Sequence, residues 1–393
     1  MDYKKILSEK VQGIKPSGIR RFFDLANEME GVISLGVGEP DFKTPWMIRR
    51  AGIQSLERGK TWYTANAGMP ELNREIANYL ARRFGLRYNP KSEIFVTVGG
   101  SEAIDMCIRA LVNPGDEVMV VEPSFVCYSP IAELSYGKAV HIATRAQDGF
   151  RLTPEALKAA ITPRSKLLIL PFPSNPTGAV MEKRHLEAIA EVLRGTGIMV
   201  LSDEIYAELT YSGQHCSIAS LPDMKERTIV VGGFSKSYAM TGWRLGYACG
   251  PAPVIQQMLK IHQFAIMCAP TVSQFAAVEA LKHGDESIAE MRQEYDERRK
   301  VLVNSLNHLG LTCFEPKGAF YVFPSIQKTG LSSEEFCERL LYSQKVAVVP
   351  GGAFGGCGEG FVRISYSYSV EHLMEALRRI ELFLEELERE KTA

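Results

Sequence analysis

The chain has 393 residues, 46% hydrophobic and 23% charged, with 45 Lys plus Arg against 46 Asp plus Glu. That length implies two or three domains, and the composition excludes a disordered, collagenous or disulfide-stapled chain. A net charge of −1 offers no basic excess for nucleic acid or an anionic membrane, so neither is expected as a partner.

Residues 1–30 are mixed and polar, like an arm that packs on something else. The start, Met1-Asp2-Tyr3-Lys4-Lys5, lacks an apolar signal core, and no run is long and apolar enough for a spanning helix. From about residue 90 to 265, short runs rich in Val, Ile and Leu alternate with helical patterns. The predicted strands are Ile94–Val98, Glu117–Val121, Ala139–Ala143, Lys166–Leu170, Ile198–Ser202, Thr228–Gly232 and Arg244–Cys249. They show little polar alternation, as strands covered on both faces should. Helices are predicted at Thr153–Ala160 and Glu182–Arg194. This pattern predicts an α/β fold: a three-layer unit around a mostly parallel seven-stranded sheet. Beyond about residue 275 the pattern changes to a long charged helix, Asp285–Leu309, then short strands near Ala319–Phe323 and Phe361–Ser365, then an amphipathic helix, Val370–Glu390. The expected division is an N-terminal arm and part of a small α+β domain at 1–45, a large domain at 46–280, and the rest of the small domain at 281–393. The eight cysteines are scattered without C-x-x-C spacing. They read as core filler in a reducing cytoplasm, and no metal site is expected.

In an open α/β sheet, ligands sit at the carboxyl ends of the strands, so the residues after each strand matter most. Gly99-Gly100-Ser101-Glu102-Ala103 opens a helix whose free N–H groups suit an anion; a serine-capped turn would read the same. Phe125 follows the next strand and could cover a flat ring, or simply pack under a loop. Pro173 and Pro176 flank Asn175 and hold its amide in one place. Asp203 ends a strand and needs a cation partner, with Tyr206 three residues on. Ser235 and Lys236 sit in a Gly/Ser turn where burial would depress the lysine and favour a nucleophilic amine. Arg244, eight residues later, has the fork geometry for phosphate.

Taken in this order, Ser174-Asn175-Pro176-Thr177-Gly178, Asp203-Glu204-Ile205-Tyr206 and Ser235-Lys236-x-x-x-Met240-x-Gly242-Trp243-Arg244-x-Gly246 make the chain resemble the class I/II aminotransferases, pyridoxal-phosphate enzymes of fold type I. The resemblance runs from Gly38-Glu39-Pro40-Asp41-Phe42 to Arg363, within the aspartate-aminotransferase-like subgroup and near its N-acetyl-diaminopimelate branch. It implies amino transfer from an L-amino acid to a 2-oxo acid by a ping-pong, Schiff-base route. Lys236 would carry pyridoxal 5'-phosphate, Asp203 would pair with the ring nitrogen, and Tyr206 and Asn175 would donate to the ring oxygen. Phe125 would stack on the ring, where relatives usually have Trp or Tyr. Phosphate would meet Arg244, Ser101 and the backbone of Gly100, Ser101, Glu102 and Ala103. Gly233 stands where many relatives have Ser or Thr, a place Ser235 would fill only in part.

The resemblance further implies that Tyr63 reaches the phosphate of a partner subunit, and hence a homodimer. Arg363 would grip the substrate α-carboxylate with the backbone of Gly38, and Arg20 is a candidate for a distal carboxylate or a plain surface residue. Aspartate-specific relatives often carry Lys at the position of Ser101, so a longer or neutral amino donor is expected, with 2-oxoglutarate as acceptor. A carbon–sulfur β-lyase on the same scaffold is the alternative. A transcription regulator would need a further domain, and a nicotinamide dehydrogenase would need a third glycine where Asp41 stands.

Overall fold

The structure, a computed structural model, describes residues 1–16, 18 and 28–392. Seven strands form its main sheet: β1 (Ile94–Thr97), β2 (Glu117–Glu122), β3 (Lys138–Ala143), β4 (Ser165–Leu170), β5 (Met199–Asp203), β6 (Thr228–Gly233) and β7 (Gly246–Cys249). Their order across the sheet is β1-β7-β6-β5-β4-β2-β3. Neighbours are parallel from β3 across to β6, while β7 runs antiparallel to both β6 and β1. All strands but β7 therefore point their carboxyl ends at the same edge.

Five of the helices around it are labelled in chain order: α1 (Trp46–Glu57), α2 (Pro70–Phe84), α3 (Gly99–Leu111), α4 (Ala252–Ala265) and α5 (Thr271–His283). The strand period of two divides the sheet's apolar residues between two cores. Val118, Val120, Leu167 and Ile169 pack with Ala103, Ile104, Cys107 and Ile108 of α3. Met119, Leu168 and Val200 pack on the opposite face with Leu186, Ile189 and Leu193 of the helix Lys183–Leu193. Each fully buried Leu or Ile contributes about 1.5–3 kcal/mol, so these layers hold the sheet edge firmly in place. At the sheet's border, β3 is exposed at Lys138, His141 and Ala143, as a strand with only one neighbour can be.

The strands lie within one or two residues of their predicted ranges. The largest difference is at Arg244, which was expected to begin a strand. It has φ +52° and stands after the short turn Thr241–Trp243, so β7 starts at Gly246. A side chain at Gly246 would lie 2.6 Å from the carbonyl carbon of Gly99; glycine is required there because the start of α3 presses on the strand.

The C-terminal unit is built on α6 (Asp285–His308), a three-stranded antiparallel sheet and α7 (Val370–Thr392). Its strands, β8 (Tyr321–Val322), β9 (Val349–Pro350) and β10 (Val362–Ser365), lie in the order β9-β10-β8. One stripe of α7, Leu373, Leu377, Ile380, Phe383 and Leu387, is buried against Leu302, Leu306 and Phe336. Ile33–Ser34 pairs in parallel with Val346–Ala347, so the early chain joins this unit. Such two-residue pairings carry no periodic signal and were not expected from the sequence. All eight cysteines are unpaired, and Cys107, Cys249, Cys313 and Cys337 are buried in the cores. No helix among the described residues is long and apolar enough to cross a membrane.

Candidate active site

The carboxyl ends of β1, β2, β4, β5 and β6 open on one cavity of about 350 Å³. Each strand delivers something different to its wall. After β1 come Gly100 and Ser101 at the head of α3; after β2, Phe125 and Tyr128; after β4, Asn175; at the end of β5, Asp203 and Tyr206; after β6, Ser235 and Lys236. Arg244 enters from the turn before β7, and Gly38, Glu39, Tyr321 and Arg363 close the cavity from the side of the C-terminal unit.

Lys236 Nζ donates to the Gly38 carbonyl at 2.5 Å. It lies 5.9 Å from the ring centre of Tyr206 and 5.7 Å from that of Phe320. Burial among these rings lowers the amine to about 8; Glu39 opposes that shift, and Arg363 and Arg244 reinforce it. A far larger neutral fraction near neutral pH than an ordinary lysine has makes the amine a competent nucleophile and base.

Asp203 accepts from Tyr128 Oη at 2.7 Å and from the Ile205 N–H at 3.2 Å. Its carboxyl is nevertheless pushed above the ordinary range by burial, and the two bonds only partly offset this. No Lys, Arg or His pairs with it among the described residues. A buried acid in that condition is a receptor for a cation or a protonated ring nitrogen. Tyr206 Oη and Tyr321 Oη lie 2.8 Å apart, and burial holds the Tyr206 phenol well above its usual range.

Arg363 is 3% exposed. One guanidinium nitrogen donates to Asn175 Oδ1 at 2.9 Å and the other to the Gly36 carbonyl. Its plane lies over Tyr321 (4.6 Å) and Phe354 (4.8 Å). No carboxylate accompanies this buried charge among the described residues, burial lowers its basicity, and Nε has no partner. An Arg with an idle donor, buried and facing a cavity, is arranged for a carboxylate from outside. With Asn175 Oδ1 engaged, Nδ2 is the atom left to donate into the cavity.

The anion end is made by bare backbone. A Cβ on Gly99 would stand 2.7 Å from an Arg244 guanidinium nitrogen, so the glycine admits the fork beside the helix start. Arg244 also donates to the Thr241 carbonyl at 2.9 Å. The first-turn N–H groups of α3 lack partners within the helix and add its dipole.

The structure thus brings together Lys236, Asp203, Tyr206, Asn175, Phe125, Gly100, Ser101, Ser235, Arg244, Gly38 and Arg363. Glu102 and Ala103 do not line the cavity. The Glu102 carboxylate turns to Val98 and His262, Ala103 faces the core, and in a helix that begins at Gly99 their N–H groups close the first intrahelical bonds, so the amides of Gly100 and Ser101 are the ones left for the anion. Tyr63 is 77% exposed and outside the cavity of its own chain. Arg20 lies outside the described residues. Two tyrosines escaped sequence reasoning. Tyr128 follows Phe125 by three residues, which is a local signal; Tyr321, in Gly318-Ala319-Phe320-Tyr321, has none, because its partner Tyr206 is 115 residues away.

Residues 30–380 match the family described as aminotransferase class I and II. The Bacillus subtilis protein YugH is 56% identical over 378 residues, covering 96% of this chain and 98% of that one. A Bacillus subtilis relative named as a probable N-acetyl-LL-diaminopimelate aminotransferase is 42% identical over 96% of each chain. The solved aspartate aminotransferase from Thermus thermophilus with maleate superposes with a TM-score of 0.91 at 40% identity, over 95% of this chain and 98% of that one. These likenesses support transamination and lend nothing to the β-lyase alternative. Sequence, fold and cavity agree: the chain belongs to the class I and II aminotransferases.

Proposed function

We propose that the cavity holds pyridoxal 5'-phosphate, the cofactor of this enzyme class, and that the residues named above divide its binding and the substrate's between them. The observation that carries the reading is Lys236, a buried amine lowered to about 8, sharing one cavity with an unpaired buried acid and an Arg with an idle donor. The donor set fits the cofactor on three counts. The glycine-lined head of α3 beside Arg244 is a phosphate cradle, Asp203 lacks a cation, and Arg363 Nε lacks an acceptor.

When bound, the cofactor supplies an electron sink that stabilises negative charge on the substrate's α-carbon. Lys236 Nζ would hold the cofactor's aldehyde and, as a neutral amine, would move a proton at the substrate's α-carbon. Asp203 keeps a proton on the ring nitrogen by its charge. Asn175 Nδ2 and Tyr206 Oη would donate to the ring oxygen, and Phe125 would cover a ring face. Arg244, Ser101, Ser235 and the amides of Gly100 and Ser101 would hold phosphate. The Arg363 fork fixes the substrate's α-carboxylate with Gly38, and thereby the orientation of the α-carbon.

We read residues 46–280 as the cofactor-binding domain, and 281–393 with part of 1–45 as a smaller domain that carries Arg363 and excludes water when it closes. The partner would be a second copy of the chain. Exposed Trp62, Tyr63, Phe264, Ile266 and Met267 support that assembly, and the bond from Asn66 Nδ2 to the Met267 carbonyl at 2.8 Å ties the two segments together. Unpaired thiols suit a reducing cytoplasm. Ser101 and Glu39 at the cavity wall favour an amino donor with a longer or neutral side chain over aspartate, with 2-oxoglutarate as acceptor. Titration of the cofactor-loaded protein with single amino acids, followed by absorbance, tests this. Conversion by neutral or long donors is expected, and conversion by aspartate alone rejects the specificity.

A further inference from the structure

Glu102 stands in the first turn of α3, yet its carboxylate leaves the cavity. One oxygen accepts the Val98 N–H at 2.5 Å and the other meets His262 Nδ1 at 2.5 Å. His262 projects from α4 and is fully buried, edge-on to Phe95 with ring centres 5.6 Å apart. Its Nε2 has no partner. The ring's one polar link among the described residues is therefore the bond to Glu102, and Nδ1 carries the donated proton.

This arrangement settles a conflict at the head of the helix. A carboxylate in a first turn is drawn to the same N–H groups and dipole that attract an outside anion. Left free, Glu102 would compete for them. Tethered to His262, its charge is kept away from Gly100 and Ser101, which line the cavity. The bond to Val98 has a second effect. Val98 is the last residue before α3, and the glycines that follow have no side chains with which to anchor the turn. The carboxylate joins the end of β1 to α3, and His262 joins both to α4.

We infer that Glu102 and His262 form a positioning pair for the anion-binding end of α3, setting where the amides of Gly100 and Ser101 stand relative to the cofactor's phosphate. The inference rests on the functional reading above. Neither residue touches the cofactor; both act through backbone.

Substitutions at His262 separate this role from plain packing. His262→Asn keeps a donor near the place of Nδ1. His262→Gln moves the polar group toward the Nε2 end, where nothing receives it, and His262→Phe fills the volume without a donor. Each purified protein is loaded with pyridoxal 5'-phosphate. Its dissociation constant and the phosphorus-31 resonance of the bound phosphate are then measured. The Gln and Phe variants should bind the cofactor roughly tenfold or more weakly, the equivalent of one hydrogen bond to a charged group, with a displaced resonance. The Asn variant should restore both. Glu102→Asp, which withdraws the carboxylate by one methylene, is the milder second test and should weaken binding in the same direction. Wild-type affinity and resonance in the Gln, Phe and Asp variants, with a wild type that loads normally, would overturn the pair's role alone. A wild type that takes up no cofactor would overturn the reading of the cavity, and this inference with it.

Discussion

The two walls of the cavity are built by different means. One wall comes from successive strand ends, where Ser101, Phe125, Asn175, Asp203 and Lys236 each follow or end a strand of one sheet. Their spacing is set by backbone ladders and by cores on both faces, so loss of a single side chain leaves the others in place. The opposite wall gathers Gly36, Gly38, Tyr321 and Arg363 from segments more than 280 residues apart in the chain, joined by side-chain bonds to Asn175, Tyr206 and Lys236. On the proposed reading, chemistry is mounted on the rigid wall, and the substrate's carboxylate is gripped by the assembled one. Changes on the first wall should remove catalysis with little effect on substrate binding; changes on the second should loosen substrate binding more than they slow the chemical step.

The largest effect is expected from Lys236→Ala. Transamination should fall to background while the fold is retained, because the sheet still holds the cavity. Asp203→Asn should follow, lowering kcat about 100- to 1000-fold with a small change in KM, since a charge aimed at the reacting system is removed in a site that excludes water. Arg363→Lys tests the other wall. It keeps the charge but loses the fork, and kcat/KM for the amino donor should drop roughly 10- to 100-fold, mainly through KM. Tyr321→Phe removes one hydroxyl link between the walls and should cost about two- to tenfold in kcat/KM. An equal loss of kcat and no change in KM for Arg363→Lys would erase the distinction between the walls.

A smaller effect concerns the cofactor-free protein. In the folded chain Lys236 titrates near 8, against an ordinary value of 10.5. Between these values Lys236 holds more proton in the unfolded chain than in the folded one, so its own contribution to stability rises with pH across that window. Below about pH 8 the cost of a buried ammonium is fully present. In urea unfolding between pH 7 and pH 10.5, the stability of wild type minus that of Lys236→Met should rise with pH, the slopes of the buried thiols and phenols being common to both.

The same contrast explains what could be read in the sequence. The strand-end wall was legible because parallel strands place all their carboxyl ends at one edge, so reading the residue after each apolar run amounts to reading the site. Asn175, Asp203 and Lys236 were found this way. The assembled wall was legible only where a motif resembled the family, as at Gly38 and Arg363. Tyr321 and the Gly36 carbonyl enter through contacts across the whole chain, which no local period encodes. Arg244 was placed at the start of a strand because its neighbours are apolar, whereas its left-handed backbone is imposed by the turn that aims its side chain at the head of α3. Glu102 was grouped with the phosphate-binding backbone because of its position in the turn. The direction of its side chain depends on His262, 160 residues away.

One measurement reaches the central claim without passing through activity. The protein is mixed with pyridoxal 5'-phosphate, reduced with borohydride, digested and analysed by mass spectrometry. The account predicts a pyridoxyl phosphate adduct on Nζ of Lys236. No adduct, or one confined to other lysines, would contradict it.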